Sequence, residues 1–184
     1  MSEQTIVRLP DADATRGFGR ALADILRAGD LVVLTGDLGA GKTTLTQGLG
    51  AGLNVRGQVA SPTFIIAREH PPLPRPDGSR GPALVHVDAY RLGSLDEVDA
   101  LDLDASLDEA VTVVEWGAGW VEGLSADRLE VAIQRPRGGQ ADGTADTPSG
   151  AEADDPAGGE RVVTVTAVGP RWDGVALPSA PVAG

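Results

Sequence analysis

Apolar positions along the chain fall into short groups, and the spacing inside each group predicts its element. Thr5 to Leu9 reads as a short extended start. Between Ala14 and Ala28, the side chains of Ala14, Phe18, Ala21, Leu22, Ile25 and Leu26 recur on one helical face, with Asp11 or Asp13 able to cap the start and Gly29 to end it. Asp30 to Thr35, DLVVLT, is too short for a helix and rich in β-branched residues, which predicts a buried strand. Thr43 to Leu53 places Leu45, Leu49 and Leu53 at helical spacing despite Gly48, Gly50 and Gly52, which point to close packing against a sheet. Each of those glycines costs a helix about 1 kcal/mol relative to alanine. Thr63 to Glu69, Ala83 to Asp88 and Val111 to Glu115 read as further strands, and Arg128 to Gln134 alternates like a half-buried one. Ser94 with Glu97, and Ser106 with Glu109, have capping-box spacing for short helical segments. Order then resumes with RVVTVTAV, residues 161–168, and a Gly-Pro turn followed by WDGVAL predicts a closing hairpin.

Two stretches break this pattern. Residues 71–82, PPLPRPDGSRGP, have the composition of a flexible loop. Residues 136–160 hold no aliphatic side chain larger than alanine and no aromatic, but six acids against one arginine. Nothing there can offset the entropy of ordering, so the expectation is a disordered acidic insert. The whole chain, 1–184, is then one α/β domain, large enough for a single core.

Charge sharpens the picture. The formal net charge is −12, which argues against an unaided groove for nucleic-acid backbone, since such a groove needs a positive stripe. Cysteine is absent, which removes disulfides, zinc–thiolate sites and a cysteine nucleophile. The opening MSEQTIVRLP lacks a basic segment followed by an apolar run, and no apolar stretch approaches a membrane span, so a soluble, cytoplasmic protein is expected. Of 15 basic residues only Lys42 is lysine. A guanine-reading Asn-Lys-x-Asp loop needs a second one.

That lysine lies in Gly36-Asp37-Leu38-Gly39-Ala40-Gly41-Lys42-Thr43, a complete G-x-x-x-x-G-K-[ST] match with a strand before it and a helix, continuing through Thr44, after it. Its glycines let successive amides turn around phosphate oxygens, and the helix start adds its positive end. In such a loop Lys42 reaches the outer phosphates and the Thr43 hydroxyl binds magnesium. The pattern predicts a P-loop NTPase fold: a central, mostly parallel sheet flanked by helices, with an antiparallel C-terminal hairpin.

A P-loop also needs a carboxylate at the end of a neighbouring strand, and Asp88 and Glu115 each follow an apolar strand. Thr63, opening the strand after the P-loop helix, is either a hydroxyl for the metal shell or a turn residue. Tyr90 either packs or meets a partner. Arg91 either neutralises phosphate or meets a partner, or else pairs with a surface acid. Trp116 is more often core than cofactor contact. His70 and His86 make no metal cluster, and His86 reads as a structural histidine within its strand.

Taken in order, GDLGAGKTT at 36–44, SPTF at 61–64, HVDAYRL at 86–92 and VEWG at 114–117 resemble the TsaE family, bacterial ATPases required for threonylcarbamoyladenosine in tRNA. The resemblance implies a small domain that binds and slowly hydrolyses ATP with Mg²⁺ and acts with the TsaD–TsaB pair, the transferase, so that tRNA is met through that complex. It further implies that Lys42 and Thr43 are phosphate and magnesium residues, that Thr63 lies in a switch-like loop, that Asp88 is an essential acid, and that Glu115 is the magnesium-associated acid before Trp116. Adenine preference is implied the same way. The alternative reading is a small-molecule kinase with the Arg75/Arg80 loop as its lid. A third is an ATP-dependent assembly factor with no tRNA role.

Overall fold

The computed structural model describes residues 3–60, 67–89, 107–115, 125–136 and 159–183. In chain order the elements are β1 (Glu3–Leu9), α1 (Ala12–Ala23), β2 (Leu31–Thr35), α2 (Lys42–Leu53), β3 (Ala67–His70), β4 (Ala83–Asp88), β5 (Ala110–Glu115), β6 (Arg128–Gln134) and β7 (Arg161–Val168). One sheet takes all seven strands in the order β1-β7-β6-β2-β5-β4-β3. Its centre, β6-β2-β5-β4, is parallel. β7 and β1 continue it antiparallel on one side, and β3 closes it antiparallel on the other. The architecture is the α/β class expected, with its antiparallel end made by β6 and β7.

Burial explains the two kinds of strand pattern. β5 is buried at every position and β2 and β4 nearly so, because apolar groups cover both faces. Val32, Leu34, Leu84, Val111 and Val113 join α1 and α2 in the larger core, while Leu31, Val33, Val85, Val87 and Val114 form a second core on the opposite face. β6 and β7 instead alternate buried and partly exposed residues, the signature of a strand with one covered face.

α1 begins two residues earlier than the periodicity suggests, because Asp11 caps it by accepting from the Ala14 amide at 2.8 Å. It also ends at Ala23 rather than Ala28. Beyond it the Ile25 and Leu26 amides donate to the Leu22 and Ala23 carbonyls in tight turns, and the Asp30 carboxylate takes the Arg27 amide at 2.8 Å. Leu26 stays buried and Ile25 packs on the core, so the apolar rhythm outlasts the helix.

The glycines of α2 do not principally face the sheet. A methyl on Gly48 would run into the Arg16 carbonyl, and one on Gly52 would stand 2.5 Å from the Ala23 Cβ. Gly19 of α1 answers them, since a Cβ there would sit 2.8 Å from the Leu49 amide nitrogen. The two helices therefore touch backbone to backbone. Only Gly50 points elsewhere, toward Val59, Val55 and Leu84.

WDGVAL is not a strand. Pro170–Trp172 forms one 3-10 turn, with Trp172 buried in the core, and the chain then runs on without regular structure. Val182 binds back to α1 through the Gly17 carbonyl at 3.1 Å. The 71–82 loop is hydrogen-bonded at its base and within itself. The Arg56 amide donates to the Pro71 carbonyl at 2.7 Å, the Leu73 amide to Asn54 at 2.9 Å, and the Arg75 amide to Ser79 at 2.8 Å. The capping-box segment from Ser94, and nearly all of 136–160, lie outside the described residues.

Candidate functional site

β2 is hydrophobic through Leu34 and, after Thr35, meets a loop that depends on glycine at positions 36, 39 and 41. A side chain on Gly36 would stand 2.6 Å from the Ile133 carbonyl of β6, so the loop leaves the sheet through a gap that admits no Cβ. The Ala40 amide closes a turn onto the Asp37 carbonyl at 3.0 Å. Gly41 then caps α2 at φ 106°, a left-handed conformation that favours glycine. No side chain caps α2, so its first amides are free of competition from a capping oxygen. Thr44 follows Lys42 and Thr43 in the first turn, and Leu38 projects from the loop, 94% exposed.

Lys42 is buried and folds back over the loop, its Nζ donating to the Gly36 carbonyl at 2.8 Å and the Asp37 carbonyl at 2.9 Å. Burial pushes its ammonium below the ordinary lysine value of 10.5, opposed by the negative charges of Glu115, Asp37 and Asp88. The charges of Glu115 and Asp88 arrive through strand register, and that of Asp37 from the loop itself. β4 and β5 are parallel with Asp88 beside Glu115, and Leu34 of β2 lies beside Glu115 in turn. Alternation therefore puts both acids on the face that carries α2.

Two neighbours fix Glu115. The Thr43 hydroxyl donates to its Oε1 at 3.4 Å, and His86 Nε2 lies 2.8 Å from the same oxygen, fully buried. His86 Nδ1 is buried with no partner among the described residues. A proton on Nε2 lets the ring donate to the carboxylate, and leaves the partnerless Nδ1 as a bare acceptor rather than a buried N–H. His86 is the buried histidine within its strand that the sequence suggests, and its partner is Glu115. The alternation in ALVHVD, with His86 two residues before Asp88, set those two on one face.

A hydroxyl and carboxylates are hard oxygen donors of the kind magnesium takes. No group of three or more acidic, histidine or cysteine side chains that could hold a metal occurs among the described residues. Thr43 and Glu115 present such oxygens 3.4 Å apart and could hold an ion of that kind.

Arg161, at the start of β7, was not legible as a site residue. It is 1% exposed, and its Nε donates to the Ala40 carbonyl of the loop at 2.8 Å. In sequence it reads as a charged residue leading an apolar strand, and the contact spans 121 positions. The other candidates, Thr63, Tyr90, Arg91 and Trp116, lie outside the described residues.

A parallel α/β sheet, a glycine loop running from β2 into α2, and acids ending two adjacent strands define a protein of the P-loop fold. Residues 9–141 match the family described as "Threonylcarbamoyl adenosine biosynthesis protein TsaE", and the chain belongs to that TsaE family. Among its relatives, the tRNA threonylcarbamoyladenosine biosynthesis protein TsaE of Streptomyces coelicolor is 56% identical over 158 residues, covering 85% of this chain and 93% of that one. Its namesake in Mycobacterium tuberculosis (strain H37Rv) is 48% identical over 133 residues, 69% of this chain and 77% of its own. The crystal structure of Bacillus subtilis YdiB superimposes with a TM-score of 0.63 at 31% identity, covering 94% of this chain and 91% of that one.

Proposed function

We propose that this protein binds ATP with Mg²⁺ and hydrolyses it, as an accessory ATPase of threonylcarbamoyladenosine formation in tRNA. It works in the cytoplasm with the TsaD–TsaB transferase complex. Membership of the TsaE family supports the tRNA role. The observation that carries the nucleotide site is the meeting of Lys42 and Thr43 with Asp88 and Glu115 at one end of the parallel strands.

Each residue has a task that follows from its chemistry. The loop amides and the start of α2 hold phosphate oxygens, and Lys42 gives up its carbonyl partners to meet the outer phosphates. Thr43 and Glu115 hold magnesium, which when bound supplies charge neutralisation on the phosphates. Asp88, beside Glu115 and next to the loop, orients and takes a proton from the attacking water. Acidity makes tRNA a substrate of the complex rather than a ligand of this chain alone. The kinase reading needs a mobile lid, whereas the Arg75/Arg80 loop is tied at its base to residues 54–56.

Phosphate release from ATP, measured with and without TsaD–TsaB and tRNA, tests the reading. Turnover without any acceptor, increased by the complex and abolished by Lys42→Ala, is expected. Transfer of phosphate to a metabolite in place of water would overturn it, as would unchanged threonylcarbamoyladenosine in cells lacking the protein.

A further inference from the structure

We propose that Arg161 is a positioning residue of the nucleotide site, which sets the affinity for triphosphate by fixing the orientation of the Ala40–Gly41 peptide. The proposal rests on the reading of residues 36–43 as a phosphate-binding loop. Arg161 stands in register with Leu9 of β1, and its side chain reaches under the loop. Besides the 2.8 Å bond from Nε to the Ala40 carbonyl, Nη2 donates to the Gly39 carbonyl at 3.4 Å. Nη1 donates to the Gly159 and Glu160 carbonyls at 3.0 and 3.2 Å. A single guanidinium therefore joins the loop to the chain that enters β7.

The consequence follows from the planarity of the peptide. In a trans peptide the carbonyl and the next amide N–H point in opposite directions. Drawing the Ala40 carbonyl inward onto Arg161 therefore turns the Gly41 N–H the other way, out of the protein body. The preceding amide is already committed, since Ala40 donates to Asp37. Between that turn and α2, the freedom left to the loop is rotation of the Ala40–Gly41 peptide, flanked by Gly39 and Gly41, both at positive φ. Glycine on either side makes such rotation easy, and an amide that must be reoriented at binding costs affinity. The fork of Arg161 removes that freedom beforehand. Its charge is permanent, and its Nε lies 3.6 Å from where a Cβ on Gly41 would stand. Lysine would preserve the charge but not the fork.

The test uses the full chain carrying Arg161→Lys or Arg161→Gln, with calorimetric titration of Mg-ATP and nitrogen-15 NMR of the Gly41 amide. Both substitutions should weaken ATP binding about tenfold or more, as expected for loss of hydrogen bonds from a charged donor. Both should shift or broaden the Gly41 amide signal before ATP is added. A purely structural arginine would lower the melting temperature and leave the affinity of the folded protein unchanged. Wild-type protein requires no substitution for a second measurement: saturating ATP should shift the Arg161 Nε–H resonance. Tight ATP binding by wild type, with equal affinity in a folded variant or an unmoved Nε–H signal, overturns the proposal alone. Wild type that does not bind ATP overturns the loop reading as well.

Discussion

Glu115 Oε1 receives both the Thr43 hydroxyl and the His86 ring, and the two bonds differ in length, 3.4 against 2.8 Å. On the proposed function, in which Thr43 would turn to a magnesium ion, the shorter, buried bond is the one left to hold the carboxylate. Removing such an outer partner commonly weakens metal binding by 10–100-fold. His86→Ala should therefore raise the Mg²⁺ concentration for half-maximal ATP turnover about tenfold while leaving metal-free nucleotide binding intact. Magnesium titrations of turnover in the two proteins check this, and an unchanged midpoint would remove His86 from the site. The loop itself was readable because its eight residues are consecutive and each does a local job. The alternation in ALVHVD put His86 on one face with Asp88, but its partner Glu115 is supplied by strand register, and the loop contact of Arg161 spans 121 positions on the face that carries α2.

At the scale of elements, the α1–α2 contact reverses an ordinary expectation. On an exposed helix, glycine to alanine gains about 1 kcal/mol. At Gly48 the added methyl meets the backbone of Arg16, so Gly48→Ala should instead lose about 1–3 kcal/mol, the usual cost of overpacking. Urea unfolding decides the sign. Sequence periodicity exposed the glycines but could not say which neighbour they face, and it overran α1 because Ile25 and Leu26 keep packing after the helical bonds stop. The 71–82 loop offers a second check. Hydrogen bonds from the Ser79 hydroxyl and amide, helped by Arg75, hold the Asp77 carboxyl below its ordinary 3.8. A depressed carboxyl stabilises the loop above its unfolded pKa, and that contribution fades as pH falls through the folded value. Ser79→Ala should raise the Asp77 pKa in an NMR titration, and a stationary value would mean the hydroxyl bond does not form in solution.

Across the whole molecule, chemistry and anchorage occupy opposite ends of β2. At its C-terminal end lies the glycine loop proposed to hold phosphate. Asp30, just before its N-terminal end, meets Arg171 through Oδ2 at 2.9 Å and Oδ1 at 3.1 Å, while Arg171 also lies over the Trp172 ring. Both partners are largely buried, and breaking such a pair strands a charge at a cost of about 3–5 kcal/mol. Asp30→Ala should lower stability by that order yet leave the ATP dissociation constant of the folded protein unchanged, as calorimetry on the folded fraction can show. Among the described residues no helix is long and apolar enough to cross a membrane. The antiparallel pairing of β6 with β7 has a consequence of its own. Gln134 sits beside Val162 in register, so the chain leaves and re-enters the sheet at adjacent points. Doubling a connection between two such points costs only about 0.6 kcal/mol of closure entropy. The crossing from 135 to 160 is therefore a port at which evolution or an engineer can lengthen the protein while the strands on either side keep their partners.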